Sequence, residues 1–380
     1  MERSSAPLLL LRAVRAWTGG GAPPSPDGAD WAGLFDLAEE HGLLPLLDHV
    51  FHGAGALPAE ALAALRERAA ERVRASFRLT AELLAVVDAL EGAGVAVIPY
   101  KGPLLALEAY GSVGLRQFVD LDLLVRPGDL DRAAALLRER GYAAYHRFTP
   151  GQEAEFRRID GDYPFHHPET GLLVEVHVRV SSERFVAALD TEELFRRARR
   201  IAVGRREVLA LRPDDHLLVL AVHGSKHRWH RLEWVVGVAA LLRVCGGLDW
   251  RVYLARAGEL RARRVLLLAL VLARDLAGVE LPREVVRRVE GDAGVRALAS
   301  EVAERMFAGD GGEATSGNLL FNLRAKDGWM DRVRYTRLWL TVPTPEDWKA
   351  LPLPDALLPL YALLRPARLL ARYGGRRPGS

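Results

Sequence analysis

Val119-Asp-Leu-Asp-Leu-Leu-Val125 is the stretch on which the fold turns. It reads as a buried β-strand carrying two carboxylates, Asp120 and Asp122. Side chains alternate between the faces of a strand, so residues two apart point the same way. Like charges at that spacing repel unless a cation lies between them or one carboxyl takes a proton. Oxygen pairs of this kind suit Mg²⁺, which is held by one or two carboxylates together with substrate phosphates. The pair therefore reads as the metal-binding half of a phosphoryl- or nucleotidyl-transfer site. The plainer alternative is two solvated aspartates on the open face of an edge strand.

Working outward, three neighbours fit the same chemistry. Lys101-Gly102-Pro103 joins a short apolar strand, expected at residues 95–98, to a helix expected to run to Tyr110. A glycine there lets a phosphate approach the backbone, and the helix N-terminus offers free N–H groups. Lys101 adds a cation, and Pro103 is well placed in a first helical turn. Arg116 precedes the aspartates by four residues, and its planar fork matches phosphate or carboxylate oxygens. The alternative for Arg116 is a surface salt bridge. Downstream, Val174-Glu-Val-His-Val-Arg-Val180 alternates without a break in a strand expected over residues 172–180. The valines form one face. Glu175, His177 and Arg179 form the other, so Glu175 offers a third carboxylate for metal chemistry.

The chain as a whole sets bounds. Its 380 residues allow two or three domains, and 49% hydrophobic with 27% charged residues is ordinary for a soluble globular protein. A formal charge of +3, with basic residues scattered, is weak evidence for a polyanionic partner. A single cysteine, Cys245, excludes an intrachain disulfide and a multi-thiolate zinc site, and a reducing cytoplasm is the simplest compartment. The longest apolar run, residues 265–273, is about half of the ~20 residues that a membrane span needs, so no membrane association is expected.

Helical spacing over residues 59–93 predicts one long helix or two, stopped by Gly92 and Gly94. Strand patterns follow, with a hairpin expected near residues 205–211. From Pro213 onward the chain is again mostly helical, with Asp214 or Asp215 expected to cap the first helix. The organisation expected is α+β. A small mixed β-sheet core spans residues 91–212, between a helical segment at 1–90 and a helical domain at 213–380. Within that domain His223, Lys226, His227, Arg228, His230 and Arg231 crowd one segment, and Lys226 is the candidate nucleotide contact. Zinc binding by His223 and His227 at helical spacing lacks a clear third ligand.

These stretches together resemble a known family. Tyr100-Lys-Gly-Pro-Leu-Leu-Ala-Leu-Glu-Ala-Tyr110, Leu115-Arg-Gln-Phe-Val-Asp-Leu-Asp-Leu-Leu-Val125, Gly141-Tyr142 and Val174-Glu-Val-His177 are similar to the uncharacterised nucleotidyltransferase family of the DNA polymerase beta-like superfamily. Leu211-Arg-Pro-Asp-Asp-His-Leu-Leu218 and Arg231-Leu-Glu-Trp234 extend the likeness, which covers roughly residues 80–290. The resemblance implies transfer of a nucleoside monophosphate from an NTP, with Mg²⁺ (Mn²⁺ as the alternative) and release of pyrophosphate. By motif it makes Asp120, Asp122 and Glu175 the catalytic and metal-binding carboxylates, and puts Lys101, Gly102 and Arg116 at the nucleotide. Two departures stand out. Pro103 replaces the superfamily's serine, removing a hydroxyl and an N–H, and Gly237 stands where the family often has an aspartate. They motivate an alternative, a catalytically degenerate nucleotide-binding module. A toxin-like enzyme acting on tRNA ends is the other. The acceptor stays open among a small hydroxylated molecule, a peptide, a protein side chain and an RNA end, and so does the oligomeric state.

Overall fold

Leu65, Ala69, Leu79, Leu83, Val86 and Leu90 recur at helical steps and are all buried. In the computed structural model, which describes residues 6–24, 30–183, 185, 189–308 and 315–373, they line one face of a single helix. Three shorter helices precede it: α1 (Ala6–Gly19), α2 (Trp31–Glu40) and α3 (Leu44–Phe51). The long helix is α4 (Ala59–Gly92), about 50 Å at the usual rise per residue.

The main sheet has strand order β1-β2-β5-β4-β3. Its strands are β1 (Val97–Tyr100), β2 (Asp120–Val125), β3 (Ala143–Ala144), β4 (Asp162–His166) and β5 (Leu173–His177). Only the β2–β5 pairing is parallel within this mixed sheet. Between the strands come α5 (Gly102–Leu105), which continues as a wider turn to Tyr110, then α6 (Leu130–Glu139) and α7 (Pro150–Ile159).

The first strand lies two residues later than expected. Pro99 lacks an N–H and breaks the apparent pattern, but β1 is an edge strand, where a missing donor is tolerated. The expected strand over residues 172–180 pairs only to His177; beyond it the chain leaves the sheet, with Val178 N bonded to Gly161 O at 2.9 Å. β4 has no counterpart among the expected strands, since Pro164 sits in its middle. The Pro164 carbonyl accepts from Tyr145 N at 2.9 Å, so its nitrogen faces the same short edge strand, where the ladder runs out.

After α8 (Thr191–Arg197), the hairpin expected near residues 205–211 forms its own ribbon, β6 (Arg199–Val203) with β7 (Arg206–Ala210). A helical region follows: α9 (Pro213–Lys226), α10 (Leu232–Val244), α11 (Trp250–Glu259), α12 (Arg263–Ala277), α13 (Arg283–Glu290) and α14 (Ala293–Met306). The last helices are α15 (Thr315–Arg324), α16 (Trp329–Thr341), α17 (Pro345–Ala350) and α18 (Tyr361–Tyr373). Pro213 takes the first helical position of α9, so Arg212 is its cap rather than Asp214 or Asp215. Asp215 instead accepts from Arg197 Nε at 2.8 Å and forms an ion pair with Arg256 Nη1 at 2.6 Å.

Two apolar cores flank the sheet. Leu121, Leu123, Val125, Val174 and Val176 pack with α4 and α6 on one face. On the other, Ile98, Tyr100 and Leu124 join α9, α10 and α12, whose run Val265–Ala273 is wholly buried. The fold is thus α+β. No described helix is long and apolar enough to cross a membrane.

Candidate active site

The register fixes the site. Asp122 pairs with Glu175 across β2 and β5, and with Tyr100 across β1. Asp162 on β4 pairs with His177. Strand parity therefore puts Asp120, Asp122, Glu175, His177 and Asp162 on one face, where they line a cleft of about 360 Å³. The other wall comes from the Lys101 turn, Arg116 and α9.

Asp122 lies deepest. Its Oδ1 receives Lys101 Nζ at 2.6 Å and His177 Nε2 at 3.1 Å. The same His177 nitrogen lies 3.3 Å from Glu175 Oε2. Burial alone would raise the Asp122 carboxyl, but the Lys101 charge and the His177 hydrogen bond outweigh it and hold it at about 2. Burial likewise opposes a charge on His177, yet its bonds to Asp122 and Glu175 push the imidazole up to about 9. Glu175 is held low, chiefly by its bond to His177. Asp120, half-buried, has no such donor. Burial and the charge of Asp122 push it up to about 6. Burial also raises Asp162, with Lys226 Nζ 3.8 Å from its Oδ2 acting against it.

Lys101 reaches Asp122 from a turn with φ 56° and ψ −143°, a backbone region otherwise left to glycine. Such strain costs roughly 1–3 kcal/mol and persists only where the surroundings fix it. Here Lys101 N donates to His216 Nε2 at 3.2 Å, and Leu105 N donates to Lys101 O at 2.9 Å. Gly102 follows with φ +34° and packs beside the Asp120 carbonyl. Pro103, inside the first turn of α5, is buried.

Arg116 is not a surface residue. It is 8% exposed, and Ser76 Oγ of α4 donates to its carbonyl at 3.1 Å. No acceptor engages its Nε or Nη1, which leaves a buried guanidinium turned to the cleft with donors to spare. Buried donors without partners are costly, and an anion is the natural acceptor for these. Arg179 also borders the cleft, but its guanidinium bonds Glu183 at 3.1 Å and the Arg157 carbonyl at 3.3 Å.

Lys226, at the end of α9, lines the cleft opposite the sheet. His223, His227 and His230 surround the Trp234 ring at centroid distances of 5.2, 5.3 and 4.5 Å. Burial keeps His223 well below the usual imidazole range and lowers His227 to about 3. Lys101 Nζ lies 3.4 Å from His223 Nδ1. Among the described residues the cluster able to hold a metal ion is Asp122, Glu175 and His177, with donor atoms within 4.8 Å of one another; His223 and His227 gain no third ligand. Gly237 on α10 carries no carboxylate, but Glu233 one turn earlier is buried in the cleft wall, and burial raises its carboxyl against the charge of Arg116.

The donor set suits a divalent cation. Two carboxylates from neighbouring strands converge on one position, and two positively charged groups of the chain itself already crowd it. His177 was legible as sharing the Glu175 face, but its bridging position was not. Asp162 left no usable signal, because its strand was not recognisable.

A family model described as an uncharacterised nucleotidyltransferase matches residues 27–278. No curated protein matches the chain, and no solved structure does.

Proposed function

The chain belongs to the uncharacterised nucleotidyltransferase family, and from that premise we propose that it moves a nucleoside monophosphate from an NTP to an acceptor hydroxyl or phosphate, releasing pyrophosphate with Mg²⁺ or Mn²⁺. The observation that carries this reading is the in-register pairing of Asp122 with Glu175, beside Asp120, in a cleft that also holds a buried guanidinium with free donors. In this reading the catalytic core spans residues 91–212. In the segment 1–90, α4 backs the sheet, and in the region 213–380, α9 and α10 wall its charged face.

Asp120, Asp122 and Glu175 would hold the divalent cations. When bound there, such ions supply charge neutralisation for the phosphates and for the oxygens that exchange partners. The rest falls to the chain. Arg116 offers its unengaged N–H groups to phosphate oxygens in a pocket where little water competes. Lys101 and Gly102 present an ammonium and a close backbone approach to the same phosphates. Lys226 reaches the nucleotide from α9. Of two cleft carboxylates, Asp162 is raised by burial while Glu175 is lowered by His177, so Asp162 is the stronger base for the acceptor proton.

The test is direct. The full chain is incubated with Mg²⁺ or Mn²⁺, each labelled NTP and a panel of acceptors, and pyrophosphate is measured. Activity in the wild type and none in an Asp120→Asn/Asp122→Asn double variant is expected. Activity that survives in that variant removes the assigned chemistry.

A further inference from the structure

Four lysines stand among forty-eight arginines in this chain, and two of them, Lys101 and Lys226, face the cleft. An ammonium differs from a guanidinium in being a compact point charge on a flexible stem, closer in form to a metal ion. Lys101 uses that form. Its Nζ sits 2.6 Å from Asp122 Oδ1, an oxygen that also takes His177 Nε2 at 3.1 Å. A divalent cation bound by that carboxylate at the usual ~2.1 Å would lie beside the ammonium, and the repulsion between the two charges sets them in competition for Asp122.

The ammonium has a second partner on the far side, His223 Nδ1 at 3.4 Å on α9. Burial keeps that imidazole neutral, so its nitrogen can accept. The backbone of Lys101 cannot follow the side chain, because the strained turn is tied to His216 and Leu105. The four-carbon stem is the flexible part of the residue, and from one backbone position its ammonium lies 2.6 Å from Asp122 Oδ1 and 3.4 Å from His223 Nδ1.

We propose that Lys101 is a resident counter-ion, holding Asp122 in the metal-free chain and swinging toward His223 and the substrate phosphates when a divalent cation and nucleotide load. The inference rests on the reading of the acidic cluster as a divalent-cation seat. It explains why a lysine stands at a position of glycine-like backbone: the strain aims one ammonium at two destinations.

Calorimetric titration with Mn²⁺ alone, without nucleotide, tests it on the full chain. Lys101→Met removes the competitor, so Mn²⁺ should bind roughly tenfold tighter or more than in the wild type, as expected when a closed state is abolished. The metal-free variant should melt lower, and Mn²⁺ should restore it. Equal or weaker Mn²⁺ binding by Lys101→Met overturns the exchange while leaving the metal seat standing. No Mn²⁺ binding by either chain overturns both. Should Lys101→Met not fold, amine labelling of the wild type answers the same question, with exposed Lys349 as internal reference. Mn²⁺ should speed labelling of Lys101 several-fold relative to Lys349, and an unchanged ratio overturns the proposal.

Discussion

The two faces of the five-stranded sheet come from the same strands and the same alternation, yet they are built on opposite principles. On one, Leu121, Leu123, Val125, Val174 and Val176 are fully buried against α4 and α6. On the other, Asp122, Glu175 and His177 are drawn into a network with Lys101 under a cover of helices. The dry face gains from area removed from water, at about 25 cal/mol per Å², and any residue of similar shape would serve. The charged face gains little net stability, since desolvation offsets the attraction of its ions. Its worth lies in holding charges where a substrate needs them. The lesson is that one face should fail by unfolding and the other by losing chemistry.

The largest separation of the two should come from Asp120→Asn/Asp122→Asn, with pyrophosphate release falling by about a thousandfold or more, as when charge-stabilising groups of an active site are lost. Circular dichroism should show the fold retained. Next, Leu123→Ala on the dry face should cost about 2–5 kcal/mol in a denaturant midpoint, with turnover per folded molecule unchanged. If Leu123→Ala instead lowered turnover of the folded protein, the faces would be coupled and the comparison would break.

A smaller effect is expected at Arg116→Met. It should weaken NTP binding by about tenfold to a hundredfold, the worth of one or two charge-assisted hydrogen bonds, as read by calorimetry. No bond within the chain is broken at Nε or Nη1, so the stability lost is chiefly that of the Arg116 charge beside buried Glu233.

The smallest effect lies in pH. The Asp120 carboxyl is held at about 6, above its ordinary 3.8. A raised folded-state value means that the folded chain binds the proton more tightly than the unfolded one. The stability this contributes is present below an ordinary carboxyl value and is lost as pH rises through about 6. Thermal melting of the metal-free protein should therefore fall by a small amount across that window, and Mg²⁺ or Mn²⁺ should recover it above pH 6 and not below. His177, at about 9 against 6.5, acts with the same sign in a separate, higher window. A flat profile between pH 4 and 6 would place Asp120 outside the charged network.

Much of the dry face was legible. Alternation through residues 119–125 and 174–178 needs only the pleat of a strand, and the helical spacing of α4 needs only 3.6 residues per turn. The face shared by Asp120 and Asp122 followed from the same parity, as did that of Glu175 with His177; that the two faces coincide came from the register of β2 with β5. Arg116 is where sequence reasoning weighed a surface salt bridge that the structure replaces with burial under α4 and its Ser76. The short strand of Asp162 was hidden by Pro164, whose cost depends on which neighbour its nitrogen faces, and no local pattern reports that.

By itself the sequence determined the periodicities: which residues share a face, where helices must bury a stripe, and that three carboxylates lie on strands. Only the tertiary structure decided that β2 and β5 run parallel in a register opposing Asp122 to Glu175. It also decided that His177 bridges them, and that Lys101 closes on Asp122 from a strained turn. The division has a physical cause. Periodicity is a property of the local backbone, whereas register and the balance of buried charge are set by segments distant in the chain, which meet only when the whole core is assembled.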